Sequence, residues 1–95
     1  MTLEEIKKQF FAGDYSVQVE DHDNYYGIRA EYFPDLKVVQ HGLSFYDCDH
    51  GNSLSYGGDL ARAETIEDAW EVVKDIFEEY LNDNKDNKLY FDFED

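Results

Sequence analysis

The chain's 95 residues suit one domain with a modest core, and its 42% hydrophobic and 17% aromatic content excludes a disordered acidic tail. Against 23 Asp+Glu stand 8 Lys+Arg, a formal net charge of −15 that opposes direct contact with nucleic acid or an anionic membrane and favours a basic protein partner. Cys48 is the single cysteine, so neither an internal disulfide nor a thiolate metal cluster is available.

Thr2 and Glu5 form a T-x-x-E capping box ahead of Leu3, Ile6, Phe10 and Phe11, which predicts a short helix from about Leu3 to Ala12 with Gly13 as its C-cap. Tyr15, Val17 and Val19 alternate with polar residues and predict a strand. After the polar turn Asp21-His22-Asp23-Asn24, a second strand is expected from Tyr25 to Phe33. Tyr26, Ile28, Ala30 and Tyr32 fall on one of its faces. Pro34-Asp35 ends it, and Leu36 to about Tyr46 reads as a third strand, bent at Gly42. Beyond the polar loop Asp47–Asn52, a fourth strand is expected from Leu54 to about Leu60, with Gly57-Gly58 marking a bulge or an early end.

The strongest periodic signal follows Thr65. Ile66, Ala69, Trp70, Val73, Ile76, Phe77, Tyr80 and Leu81 recur at helical spacing, and the helix is expected to stop in Asn82-Asp83-Asn84. Leu89, Phe91 and Phe93 then alternate as a short last strand. The fold class is therefore α+β, in the order α-β-β-β-(β)-α-β. A single acidic domain spanning 1–95 carries an antiparallel sheet of three to five strands, with the short and the long helix on one face.

The long helix carries acids nearly everywhere off its apolar stripe: Glu67, Asp68, Glu71, Asp75, Glu78 and Glu79, with Lys74 the one cation among them. Glu67, Glu71, Asp75 and Glu79 lie four apart and form a ridge with a step of about 6 Å. Like charges at this spacing cost about 0.2–0.5 kcal/mol per pair, so a face tuned for stability alone would alternate Glu with Lys. A plain solvated face is one meaning of such a pattern; an electronegative ridge aimed at a cationic groove is the other. A net charge of −15 matches the phosphates of about 26 Å of duplex, so phosphate mimicry is physically available.

Eight Tyr, seven Phe and one Trp are more aromatics than so small a core needs. Trp70, Phe77 and Tyr80 belong to the core by spacing. Tyr25, Tyr26, Tyr32, Tyr46, Tyr56 and Tyr90 cannot all be buried. Tyr25 and Tyr46 lie beside acids, as do Asp47 and Asp49 beside Tyr46, and such mixed patches suit Arg, which pairs with carboxylates and stacks on rings. These four residues join the helix acids as candidate partner-binding positions.

Catalytic chemistry finds little support. Asp47-Cys48-Asp49-His50-Gly51-Asn52 departs from a calcium loop at its fifth, sixth and twelfth places, the last being Gly58 rather than Glu. Asp47, Asp49 and His50 remain possible ligands for a weakly held divalent ion, and equally form a turn. His22, His41 and His50 lie in separate segments, and no oxyanion turn or phosphate loop accompanies Cys48. No enzyme activity, cofactor or structural metal is expected.

The first helix, the Asp14-Tyr15-Ser16-Val17-Gln18-Val19 strand and the acidic later helix together resemble the small acidic anti-CRISPR proteins of phages. The likeness is greatest to type II-A inhibitors with a short helix, three antiparallel strands and acidic helical surfaces, and covers the organisation of about the first 80 residues. The resemblance implies a DNA-mimic inhibitor that occupies the Arg- and Lys-lined DNA-reading cleft of a CRISPR effector nuclease. The single long late helix and the final Leu89–Phe93 strand depart from that pattern, so no residue role is carried over. The alternative expectation is an immunity protein that neutralises a basic toxin. The N-terminal Met1-Thr2-Leu3-Glu4-Glu5 lacks the basic start and apolar run of a signal peptide, and no segment reaches a membrane span, so a cytoplasmic setting is expected.

Overall fold

The computed structural model describes residues 1–12, 16–21, 26–45, 55–56 and 58–91; for Asp21, Tyr26, Ser44, Phe45, Ser55 and Tyr56 only the backbone pairing is described. Helix α1 spans Leu3–Ala12 and helix α2 Ile66–Asp83. The strands are β1 (Ser16–Asp21), β2 (Tyr26–Phe33), β3 (Val38–Phe45), β4 (Ser55–Tyr56), β5 (Asp59–Arg62) and β6 (Leu89–Phe91). They form one antiparallel sheet in the order β4-β3-β2-β1-β6, with β5 also on β3.

The expected α+β architecture is present, and its bounds follow local chemistry. The Thr2–Glu5 box closes as written: the Glu5 N–H donates to Thr2 Oγ1 (3.2 Å), and the Thr2 N–H to Glu5 Oε1 (3.0 Å). The Gly13 cap and Tyr15 lie outside the described residues. Strand β3 begins at Val38, not at Leu36, because Pro34 to Lys37 form the β2–β3 turn. The Leu36 N–H donates to the Phe33 carbonyl (3.2 Å), and Lys37 takes a left-handed φ of 55°. The final strand is described as far as Phe91; Phe93 lies outside the described residues.

The expected fourth strand is two segments on one partner. His41 pairs Asp59 and Ser44 pairs Tyr56, three residues further along each strand. The two segments keep one register on β3, and pairing runs on past Leu60 to Arg62; Gly57 lies outside the described residues. Six segments occupy five positions in the sheet.

The alternation in β2 sorts the two faces. Ile28, Ala30 and Tyr32 are buried with Val17, Val19 and Val39 on the helix side. Ile6 and Phe10 of α1 and Ala69, Trp70, Val73 and Phe77 of α2 close over them. Phe10 tilts against Trp70 at 5.7 Å between ring centres, and Trp70 stacks on Phe77 at 6.2 Å. Tyr80 is half-buried against this cluster. Tyr32, one of the surplus tyrosines, is buried, and its hydroxyl donates to the Ala63 carbonyl (2.9 Å). The two central strands approach closely at Gly27, where a Cβ would meet the Val19 carbonyl oxygen and lie 3.0 Å from Glu20 Cα, both backbone atoms of β1.

Both ends of α2 are capped. Thr65 Oγ1 accepts from the Asp68 N–H (3.1 Å), and the Asn84 N–H and Nδ2 both donate to the Tyr80 carbonyl (3.1 and 2.9 Å). The Asn84 cap ends the helix at Asp83, inside the expected Asn82-Asp83-Asn84 stop. Thr65→Ala is expected to cost about 1 kcal/mol of stability, measurable as a lower urea midpoint with an unchanged slope.

Candidate functional site: the acidic face of α2

The α2 stripe that meets the core fixes what its other side shows. Glu67, Asp68, Glu71, Asp75, Glu78 and Glu79 are all exposed, as the helical spacing requires. Because the helix reaches Asp83, that residue adds one more step to the ridge Glu67-Glu71-Asp75-Glu79, again exposed. Each four-residue step rises about 6 Å and turns about 40°, so the carboxylates wind around the helix instead of lining a flat plane. Asp83 continues the same four-residue spacing, although the ridge read from the sequence ends at Glu79.

The chain's cations leave this face largely unneutralised. Lys7 and Lys8 sit on α1, Arg29, Lys37 and Arg62 on the sheet and its turn, and Lys85 and Lys88 beyond α2. Lys74 alone is on α2, where its Nζ lies 2.7 Å from Glu71 Oε2. That hydrogen bond and the Glu71 charge, with smaller contributions from Asp75 and Glu78, hold the Lys74 ammonium above the usual lysine range. Among the described residues no cation pairs with Glu67, Asp68, Asp75, Glu78 or Glu79.

Away from α2 three cations are paired with acids. Arg29 pairs with Glu31 (3.2 Å) on the sheet. Glu64, between β5 and α2, receives Arg62 (3.1 Å) and Lys37 (3.2 Å), which hold its exposed carboxyl below the usual glutamate range. Lys88 lies over the half-buried Tyr90 ring, 5.4 Å from its centre. An open dent beside α1 is lined by Glu4, Glu5, Lys7, Lys8 and Phe11, a mixed set with no nucleophile.

The candidate partner residues Tyr25, Tyr46, Asp47 and Asp49 lie outside the described residues, as do His22, Cys48 and His50, so only the helix half of the expected surface is placed. His41 sits half-buried on β3, paired across to Ala30 and Asp59. Among the described residues no three His, Cys, Asp or Glu side chains converge as a cation site, and no helix is long and apolar enough to cross a membrane. Comparison with family models, with curated proteins and with solved structures finds no match.

Proposed function

We propose that this protein is an acidic inhibitor that occupies a basic nucleic-acid-binding surface, such as the DNA-reading cleft of a nuclease, by charge mimicry. The observation that carries the proposal is the α2 face: exposed carboxylates on a two-capped, core-packed helix, with Lys74 the one described cation among them. Such a face is preorganised. Its acids are already aligned by the backbone, so a partner does not have to order them on binding. The winding ridge also offers negative charge at several orientations, as a duplex does. A cytoplasmic setting belongs to the same proposal.

Capture from cell lysate at low ionic strength, followed by elution with salt, is expected to recover a basic nucleic-acid-binding protein. The recovered complex should exclude duplex DNA from the partner and weaken about tenfold or more as salt rises through the physiological range. A tight complex whose partner still binds DNA would instead identify an immunity protein that docks away from the nucleic-acid site.

A further inference from the structure

The outer edge of the sheet at β5 is a second surface. The Ala63 N–H donates to the Lys37 carbonyl (2.9 Å), which makes these two residues a hydrogen-bonded pair. Antiparallel ladders alternate, so Val39↔Ala61 and His41↔Asp59 exchange the next bonds to β3. Leu60 and Arg62 therefore turn their N–H and C=O groups away from the sheet. Among the described residues nothing pairs with them. Leu60 is 66% exposed, and the Arg62 side chain 82%.

Sheet edges are commonly blunted by proline, by a bulge or by a covering segment. Strand β5 contains no proline, and its four residues pair with β3 in unbroken register. Its protection lies in charge. Asp59 stands at one end; Glu64 and then Glu67 and Asp68 of the first α2 turn stand at the other. Lys37 and Arg62 are taken up by Glu64, while no described cation pairs with Asp59, Glu67 or Asp68. A second copy of this chain would set two molecules of net charge −15 against each other. A basic strand meets no such repulsion.

We propose that β5 accepts an extended, basic segment of a partner protein as an added strand, bound through the Leu60 and Arg62 backbone. The proposal rests on the preference for a basic partner argued above, but on a different surface from the α2 ridge. Pairing residues share a face, so alternate side chains of the added strand have separate neighbours. Those beside Asp59 and Ala61 face the helix side, where Lys or Arg also meets the field of Glu67 and Asp68. Those beside Leu60 lie on the opposite face, where an apolar residue covers it. The matching segment alternates apolar residues with Lys or Arg.

The test uses the whole protein and a capped seven-residue peptide alternating valine and lysine. Its expected result is amide exchange slowed about tenfold or more at Leu60 and Arg62, with weaker or no effect from a valine–glutamate peptide. The same valine–lysine peptide N-methylated at alternate amides should lose the effect, a control that leaves the protein unaltered. Leu60→Pro removes an outward N–H and no bond to β3, so it should abolish peptide binding while the Ala61 and Ala63 amides stay protected. Peptide binding that perturbs α2 but leaves the Leu60 and Arg62 amides unprotected would overturn the strand-addition proposal and leave the ridge inhibitor standing. Protection of the same amides in peptide-free protein, with dimers in sedimentation, would overturn it in favour of a second copy.

Discussion

Phe77→Ala is expected to lower the unfolding free energy by about 3–5 kcal/mol, the largest stability loss argued for this chain. The Phe77 ring is 1% exposed and stacked on Trp70, which in turn lies against Phe10 of the other helix. Removing it opens a void where α1, α2 and the sheet meet, and neither the capped helix nor the paired strands can readily collapse into that void. Domains of this size typically hold about 5–15 kcal/mol in total, so the variant is left marginal. A net charge of −15 adds self-repulsion that salt relieves. The deficit should therefore look most severe at low ionic strength, where part of the Phe77→Ala population is unfolded, and that population should shrink as salt is added. Urea unfolding at two salt concentrations measures both effects. A Phe77→Ala loss no larger than that of the half-buried Ile76→Ala would show that Phe77 does not anchor this junction.

The same junction shows why parts of the fold were legible in the sequence. Phe10, Trp70 and Phe77 lie on stripes of period 3.6, and the Thr2–Glu5 box marks a helix start by itself; each is a signal contained within a few neighbouring residues. Strand pairing is different. That β6 returns to lie beside β1 is decided by Val19↔Phe91 and its neighbours across the whole chain, and no local spacing encodes it. The displaced start of β3 has a cause in backbone conformation that composition does not reveal. Lys37 adopts a left-handed turn and delays β3.

The candidate site divides along the same line. Which acids face outward follows from the apolar stripe of α2 and was readable as spacing. Whether they are neutralised depends on which cations come near in space. Glu64 shows the difference: Lys37 reaches it from the β2–β3 turn, far away in sequence, whereas nothing described reaches Asp75 or Glu79. The outward backbone of Leu60 and Arg62 could not be read at all before the β3 register was known.

Asp75→Lys combined with Glu79→Lys is expected to weaken the captured basic partner about 100-fold, equivalent to about 2.7 kcal/mol, while raising the stability of the free protein. The two effects have opposite signs for a physical reason. In the native ridge Glu71, Asp75 and Glu79 stand at successive i,i+4 positions and repel. Lys at position 75 turns the Glu71 pair into a favourable acid-to-base step, and Lys at 79 turns the last step of the ridge, to Asp83, into an attractive base-to-acid pair of the weaker orientation, while the two introduced lysines repel each other as Asp75 and Glu79 did. Each such change is worth about 0.2–0.5 kcal/mol to the helix. Against the partner, each reversal replaces an attraction by a repulsion at a surface matched in charge, which slows encounter and penalises the docked state. Glu71 is a poorer single target because Lys74 already holds it (2.7 Å). Misfolding would lower stability and binding together, so a thermal melt beside a binding titration separates the explanations. A stabilised double variant that binds with undiminished affinity would remove α2 from the interface, and with it the case for charge mimicry by this helix.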